Sequence, residues 1–270
     1  MTLRIAWFAT ARGQTSSKLL GAALEAIESG RLGAEIVVVF CNRAQGEDTN
    51  TDAFLAQVRA AGLPLVTLSS RDFRRQIGGE VARKGAALPD WRHDYDREVI
   101  RLLQPYQFDI GVLAGFMLIF CDEAAAKWDL LNLHPAAPGG PAGVWQDVIW
   151  QLIEARAERA GVMMHLATPE LDQGPVVTYC TYPIRGADID ELWREAERLP
   201  AAAAKDEDRP LFKEIRRRGV LREVPLVIET LRAFVDGRIR VKNKQGVDPG
   251  GEPIEGYDLT DDIEATLMQT

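Results

Sequence analysis

Along the first 120 residues, short apolar runs alternate with stretches whose apolar residues recur every three or four positions. The runs at 3–9, 35–41, 63–68 and 108–116 read as strands, the last continuing into Met117-Leu118-Ile119. Within the second, Ile36-Val37-Val38-Val39-Phe40 has the β-branched composition of a strand buried on both faces. The stretches 18–29, 51–61 and 94–103 have helical spacing. Ser16 or Ser17 is a natural N-cap for the first, and Gly62 ends the second. Strands separated by helices must be joined by crossovers, so they run parallel. The fold class is therefore α/β: a Rossmann-like, mostly parallel twisted sheet flanked by helices.

The second half reads as strand 130–133, a Pro/Gly loop, helix 144–157, strand 162–167, a loop and strand 176–183. Antiparallel additions to the sheet fit here. A helix follows at 187–198, then a solvated connector at 200–210 and a last helix at 221–235, broken or begun at Pro225. From 242 onward Gly, Pro and acidic residues predict an extended tail with a short helix at 261–267. This divides the chain into one domain over 1–240, with a nucleotide- or phosphate-binding half to about 120 and a catalytic half after it, and an acidic tail over 241–270.

Composition narrows the classes. A chain of 270 residues suits one large domain or two intimate ones. Its net charge of −8 argues against a nucleic-acid groove, although Arg216-Arg217-Arg218 could serve a small anion. Cys41, Cys121 and Cys180 are odd in number and far apart, with no C-x-x-C, which points to a reduced, metal-free, cytoplasmic protein. The apolar stretch 110–121 is too short to cross a bilayer. The run at 5–10 is too short for a signal core and reads as a first buried strand.

The candidate chemistry is an amide, an imidazole and a carboxylate. Asn132 and His134, in Asn132-Leu133-His134-Pro135, sit two apart and so point to the same side of an extended segment. Asp172 lies in Glu170-Leu171-Asp172-Gln173-Gly174-Pro175, among turn-formers, from where it could orient the imidazole or keep it charged. Such a set can stabilise an oxyanion and move a proton; on these residues alone, a strand end capping a turn fits equally well. His165 sits in an apolar strand and is by default a hydrogen-bonded structural histidine, yet that strand leads directly to Asp172. The turn Gly13-Gln14-Thr15-Ser16-Ser17 opens the first helix, where an α/β sheet presents N–H groups to an anion, or where a plain cap would stand. The absence of G-x-G-x-x-G, G-x-x-x-x-G-K-[ST] and G-x-S-x-G from the sequence disfavours dinucleotide enzymes, P-loop NTPases and α/β-hydrolases.

Taken together, Leu113-Ala114-Gly115-Phe116-Met117, Asn132-Leu133-His134-Pro135 and Leu171-Asp172-Gln173-Gly174-Pro175-Val176 resemble, in order, three signature segments of the 10-formyltetrahydrofolate-dependent formyltransferases. The branch resembled most is the one that acts on phosphoribosylglycinamide in purine synthesis. The resemblance runs from Arg4 to about Ile184, and weakly over 225–239. It implies that Asn132, His134 and Asp172 are the catalytic trio. It implies a folate pocket lined by Leu113, Met117, Leu118, Ile119, Ala167, Thr168 and Leu171. It places Gly13, Thr15, Ser16, Ser17, Arg92 and Pro135 on the ribonucleotide side. The donor it implies is 10-formyltetrahydrofolate, with small-molecule substrates, no metal, no nucleic acid, no membrane, and room for a homodimer.

The departures fall on the amine side. Family phosphate loops usually read G-x-G-S-N, whereas Arg12-Gly13-Gln14-Thr15-Ser16-Ser17 is longer and lacks the Asn. Ala136-Ala137-Pro138-Gly139-Gly140-Pro141 replaces the usual Ser-Leu-Leu-Pro stretch, and Val220 stands where a substrate-contacting glutamate is expected. Segments near 74–90 and 188–210 are insertions. Competing readings are a formyltransferase for an amino sugar or specialised metabolite, a 10-formyltetrahydrofolate hydrolase, and a folate-binding protein without turnover. Hydrolytic relatives usually carry an extra N-terminal domain, which a sheet opening at Leu3 leaves out.

Overall fold

The computed structural model describes residues 2–81, 87–198 and 205–269. The first half comprises β1 (Leu3–Ala9), α1 (Gln14–Glu28), β2 (Ala34–Cys41), α2 (Thr49–Ala60), β3 (Leu65–Thr67), α3 (Ser70–Gln76), α4 (Trp91–Leu103) and β4 (Ile110–Leu113). The second comprises α5 (Asp122–Lys127), β5 (Leu130–His134), α6 (Trp145–Glu154), β6 (Arg159–Leu166), β7 (Val176–Pro183), α7 (Asp190–Glu197) and α8 (Pro210–Val235). A hairpin, β8 (Arg240–Lys242) and β9 (Gln245–Val247), precedes β10 (Tyr257–Asp258) and α9 (Thr260–Met268).

Eight strands make one sheet in the order β10-β7-β6-β5-β4-β1-β2-β3. The pairings from β3 to β5 are parallel, as the alternating pattern requires, while β6 is antiparallel to both β5 and β7. β1 lies between β2 and β4, so the direction of winding reverses at β1. In an open α/β sheet that reversal leaves a crevice outside the carboxyl ends of the strands. The end of β5, next in the sheet, opens onto the same edge.

The two faces of the sheet carry separate cores. Ile5, Trp7, Val112, Leu131, Met164 and Leu166 pack with α1, α2, α8 and α9. Phe8, Phe40, Leu113 and Leu130 pack with Trp91, Tyr95 and Val99 of α4 and Ala124 of α5. A third cluster joins α6 and α7 to the first half of α8 through Trp150, Trp193 and Phe212.

Several boundaries differ from the sequence reading. Helix α1 starts at Gln14 with Gly13 at its cap, so Ser16 lies inside it; its hydroxyl donates to the Ala114 carbonyl at 2.9 Å. β4 ends at Leu113, because Gly115 (φ +70°) turns the chain and an added Cβ there would lie 2.8 Å from Ser16 Oγ. Helix α4 begins at Trp91, where a buried aromatic anchors its first turn. The short α3 and α5 had no strong apolar period to announce them. Helix α8 runs unbroken through Pro225. An interior proline costs about 3 kcal/mol, but Leu211, Phe212, Ile215, Leu226, Val227 and Leu231 are each at most 2% exposed. At roughly 1.5–3 kcal/mol per buried side chain, their burial outweighs it. The segment from 242, expected to be mostly extended, contributes β9, which pairs back on β8, and β10, which pairs with β7. Leu259 and Ile263 bury completely and bring α9 onto β7 and α8. Parts of both expected insertions lie outside the described residues.

Candidate active site

Cross-strand register assembles the site. Phe8 pairs with Leu113, Leu113 with Asn132, and Asn132 with His165. Directly paired residues share a face, so one transverse row passes from apolar to polar as it crosses from β1 to β6. His134, two residues beyond Asn132, extends the polar end of that face toward the carboxyl end of β5. Asp172 arrives from the β6–β7 loop. The structure thus brings Asn132, His134 and Asp172 together and adds His165 as a fourth member.

Their hydrogen bonds assign the protons. His134 Nε2 lies 2.9 Å from the Pro141 carbonyl, which can only accept, so Nε2 carries a proton and donates. The other ring nitrogen, Nδ1, faces Asp172 Oδ2 at 3.5 Å. His165 Nδ1 likewise donates to the Leu166 carbonyl at 3.0 Å, leaving Nε2 to accept from Asn132 Nδ2 at 3.0 Å. The second Asn132 N–H points to Asp172 Oδ1 at a long 3.4 Å, the contact most readily exchanged for a ligand oxygen. His165 therefore positions the amide. Gly143 N–H donates to Asp172 Oδ2 at 3.0 Å. Pro141 and Gly143 were missed in the sequence because their contributions are backbone atoms, visible there only as a glycine-proline loop.

The turn carrying Asp172 is sterically committed. Asp172 itself has φ +55°, a region costly for most residues and better tolerated by Asp and Asn. Two residues on, a Cβ on Gly174 would fall 1.7 Å from the Leu166 carbonyl oxygen. Gly174→Ala must displace either β6 or this turn. It is expected to destabilise the fold by about 2–3 kcal/mol, on the scale of overpacking, and to lower the melting temperature measurably. An unchanged melt would show that the turn yields freely.

Burial pushes His134 below its ordinary range, against the Pro141 carbonyl and the Asp172 carboxylate, which both raise it. The sequence reading gave Asp172 the task of keeping His134 charged. Its influence has that sign, but burial outweighs it, and the imidazole is neutral at neutral pH. For Asp172, burial raises the carboxyl. The neighbouring His165 and His134 rings and the Gly143 N–H outweigh it and hold the carboxyl below the usual carboxylate range.

A histidine depressed in the folded state stabilises the protein fully above its unfolded value of 6.5, and that contribution is lost as pH falls. The Asp172 contribution is retained above 3.8 and disappears only in stronger acid. The melting temperature of the wild type is therefore expected to fall more between pH 7.5 and pH 5 than that of His134→Gln. Parallel losses in the two proteins would remove His134 from that window.

The residues expected around a folate divide by exposure. Leu113, Leu118 and Ala167 belong to one apolar cluster beside the polar row. Met117 and Leu171 are 59% and 49% exposed, on loops leaving the carboxyl ends of β4 and β6. Ile119 and Thr168 are half-buried on those same loops, Thr168 Oγ1 donating to the Glu170 carbonyl. Large exposed apolar side chains at a sheet's binding edge suit an aromatic ligand. On the other side, Gly13 and Thr15 are exposed at the start of α1, Ser17 and Pro135 are half-buried, and the Ser16 hydroxyl is committed to Ala114. Arg92 is 3% exposed, its guanidinium on the Ile119 carbonyl at 2.6 Å and 3.7 Å from Asp96.

Cys41, Cys121 and Cys180 are buried and free. Among the described residues no three His, Cys, Asp or Glu side chains gather as a metal site, and no helix is long and apolar enough to cross a membrane.

Known proteins resemble this chain in sequence and in fold. Residues 3–198 match the formyl transferase family. The phosphoribosylglycinamide formyltransferase of Escherichia coli is 28% identical over 242 residues, covering 88% of this chain and 92% of that protein. The solved structure of phosphoribosylglycinamide formyltransferase from Coxiella burnetii superposes with a TM-score of 0.66 at 20% identity, over 96% of this chain and 99% of that one. A formyltetrahydrofolate deformylase from Burkholderia mallei gives a TM-score of 0.60 at 15% identity, over 92% of this chain and 70% of the other. The two structures share the fold and differ in the activities their names state. Over most of its length, this chain belongs to the formyl transferase family and is a one-carbon transfer enzyme.

Proposed function

We propose that this chain moves a formyl group from 10-formyltetrahydrofolate to a primary amine, with phosphoribosylglycinamide as the acceptor. The observation that carries the reading is the cluster of Asn132, His134, His165 and Asp172 at the strand ends, continuous across the sheet with the apolar Leu113 of β4. The donor fits the exposed Met117 and Leu171 together with Leu113, Leu118, Ile119, Ala167 and Thr168. It supplies an activated formyl carbon.

The chain's residues account for the rest of the transfer. The Asn132 N–H that now makes the long contact to Asp172 turns to the formyl oxygen and stabilises its developing negative charge, as a preorganised donor does. His134 offers a second donor once its ring exchanges the Pro141 carbonyl for the oxyanion. Ionised Asp172 takes the proton released as the amine nitrogen bonds to the formyl carbon, and His134 Nδ1, 3.5 Å away, can receive it in turn. The proton ends on the folate nitrogen as its bond to the formyl carbon breaks. At the other end, backbone N–H groups of Gly13 and Thr15, with the Thr15 and Ser17 hydroxyls, hold an anionic group at the positive end of α1. Pro135 fixes the chain as it leaves His134.

The altered loop at 12–17 makes acceptor identity the point to test. Phosphoribosylglycinamide should be formylated fastest in a panel that includes amino sugars and simple amines. Rapid formylation of another amine, with none of phosphoribosylglycinamide, would keep the transfer chemistry and remove the purine assignment.

A further inference from the structure

The β4–α5 loop, residues 114–121, holds Met117 outward and leaves Leu118 and Ile119 half-buried, while Phe116 and Phe120 stack inward, their ring centroids 5.0 Å apart. The loop has no regular structure of its own. Its upstream end is tied to β1 and α1. Thr10 N–H donates to the Gly115 carbonyl at 3.2 Å, Met117 N–H to Thr10 Oγ1 at 2.8 Å, and Ser16 Oγ to the Ala114 carbonyl at 2.9 Å.

Among the described residues, the side-chain hydrogen bonds that reach the downstream end come from α4. Arg92 Nη2 donates to the Ile119 carbonyl at 2.6 Å, and Asp96 Oδ2 accepts from Cys121 N–H at 2.6 Å. These side chains stand one helical turn apart, 3.7 Å from each other, and grip backbone atoms two residues apart. Both are nearly inaccessible, Arg92 3% exposed and Asp96 0%. The guanidinium carbon lies 5.3 Å from the Trp91 ring and 5.9 Å from that of Tyr95. Among the described residues Arg92 Nε and Asp96 Oδ1 make no hydrogen bond. A buried pair left partly unsatisfied contributes little stability, and apolar side chains of similar volume often serve a core as well or better. Only a donor and an acceptor, however, can hold the Ile119 carbonyl and the Cys121 amide.

We infer that Arg92 and Asp96 are positioning residues which clamp the β4–α5 loop and thereby set the wall that receives the ring system of the formyl donor. This rests on the donor reading given above. It moves Arg92 from the acceptor's phosphate, where family resemblance would put it, to the donor side. The side chain acts from beneath the wall, through the Ile119 carbonyl.

The test compares wild type with Arg92→Met/Asp96→Leu, which removes both charges and the acceptor for Cys121 N–H together and leaves neither charge buried alone. Three quantities are read: amide hydrogen exchange over 117–121 without ligand, affinity for a non-hydrolysable 10-formyl folate analogue, and affinity for phosphoribosylglycinamide. The Cys121 amide is expected to exchange about tenfold faster or more, and the analogue to bind about tenfold more weakly, the scale of losing charge-assisted hydrogen bonds. Affinity for phosphoribosylglycinamide should stay within about twofold. Arg92→Lys, which keeps a cationic donor, should recover much of the analogue binding.

Unchanged exchange at Cys121 overturns the clamp. Faster exchange with unaltered analogue binding overturns its link to the donor, and weakening confined to phosphoribosylglycinamide returns Arg92 to the acceptor. If the double variant does not fold, Arg92→Gln reads the same quantities. Failure of the wild type itself to bind the analogue removes the donor reading, and this inference with it, before any variant is compared.

Discussion

His134→Ala and Asn132→Ala are each expected to lower kcat by about a hundredfold or more, the usual cost of one preorganised oxyanion donor. Binding of a folate analogue should persist in both, because the apolar wall at Leu113, Met117 and Leu118 is untouched. The effect should appear in kcat and kcat/KM alike, since the lost interactions belong to the transition state. Asn132→Ala also removes the partner of His165 Nε2. His165 would then have a free acceptor 3.6 Å from Asp172 Oδ1, two electron-rich groups facing one another. Asn132→Ala should therefore cost stability as well as rate, and a thermal melt separates the two. Near-normal turnover in either variant would place the chemistry elsewhere.

Asp172→Asn should reduce turnover by about 10²–10⁴, the range for loss of a positioned general base. The fold should survive, because an Asn amide oxygen can still accept from Gly143 N–H. The informative part is the titration of His134. Asp172 raises this imidazole and burial lowers it, with burial ahead. Removing the carboxylate takes away an opposing influence, so the His134 midpoint, followed by NMR of the ring proton, should move to still lower pH. A midpoint that stays or rises would mean that Asp172 does not couple to His134, leaving the carboxylate as a member of the turn.

Much of this architecture was visible in the sequence because the relevant signals are local. The β-branched run at 36–40 is typical of a doubly buried strand, and the spacing of Asn132 and His134 places them on one side of an extended segment. Asp172 stood between turn-formers, and its φ of +55° is a conformation that such a context supports. What stayed hidden depends on contacts distant in sequence. The charge state of His134 follows from burial under a loop whose Pro141 carbonyl reaches back to it. Arg92, among polar neighbours, gave no hint that its partner would be a carbonyl 27 residues away. Helix α8 passes through Pro225 because the sheet and α1 pack along it, a fact that no window around the proline contains. In the C-terminal segment a Gly- and acid-rich composition masked two anchors, Leu259 and Ile263, spaced one helical turn apart. Local composition reports propensity, and tertiary burial overrode it at each of these places.

The fate of the formyl carbon separates transfer from hydrolysis. 10-Formyltetrahydrofolate labelled in that carbon, incubated with the enzyme and phosphoribosylglycinamide, should transfer the label to the amine nitrogen with stoichiometric release of tetrahydrofolate. Without an amine, consumption of the donor should be slower by at least about a hundredfold, the scale of a misplaced nucleophile. Label recovered as free formate at the same rate with and without amine would contradict the transferase reading and make the enzyme a hydrolase.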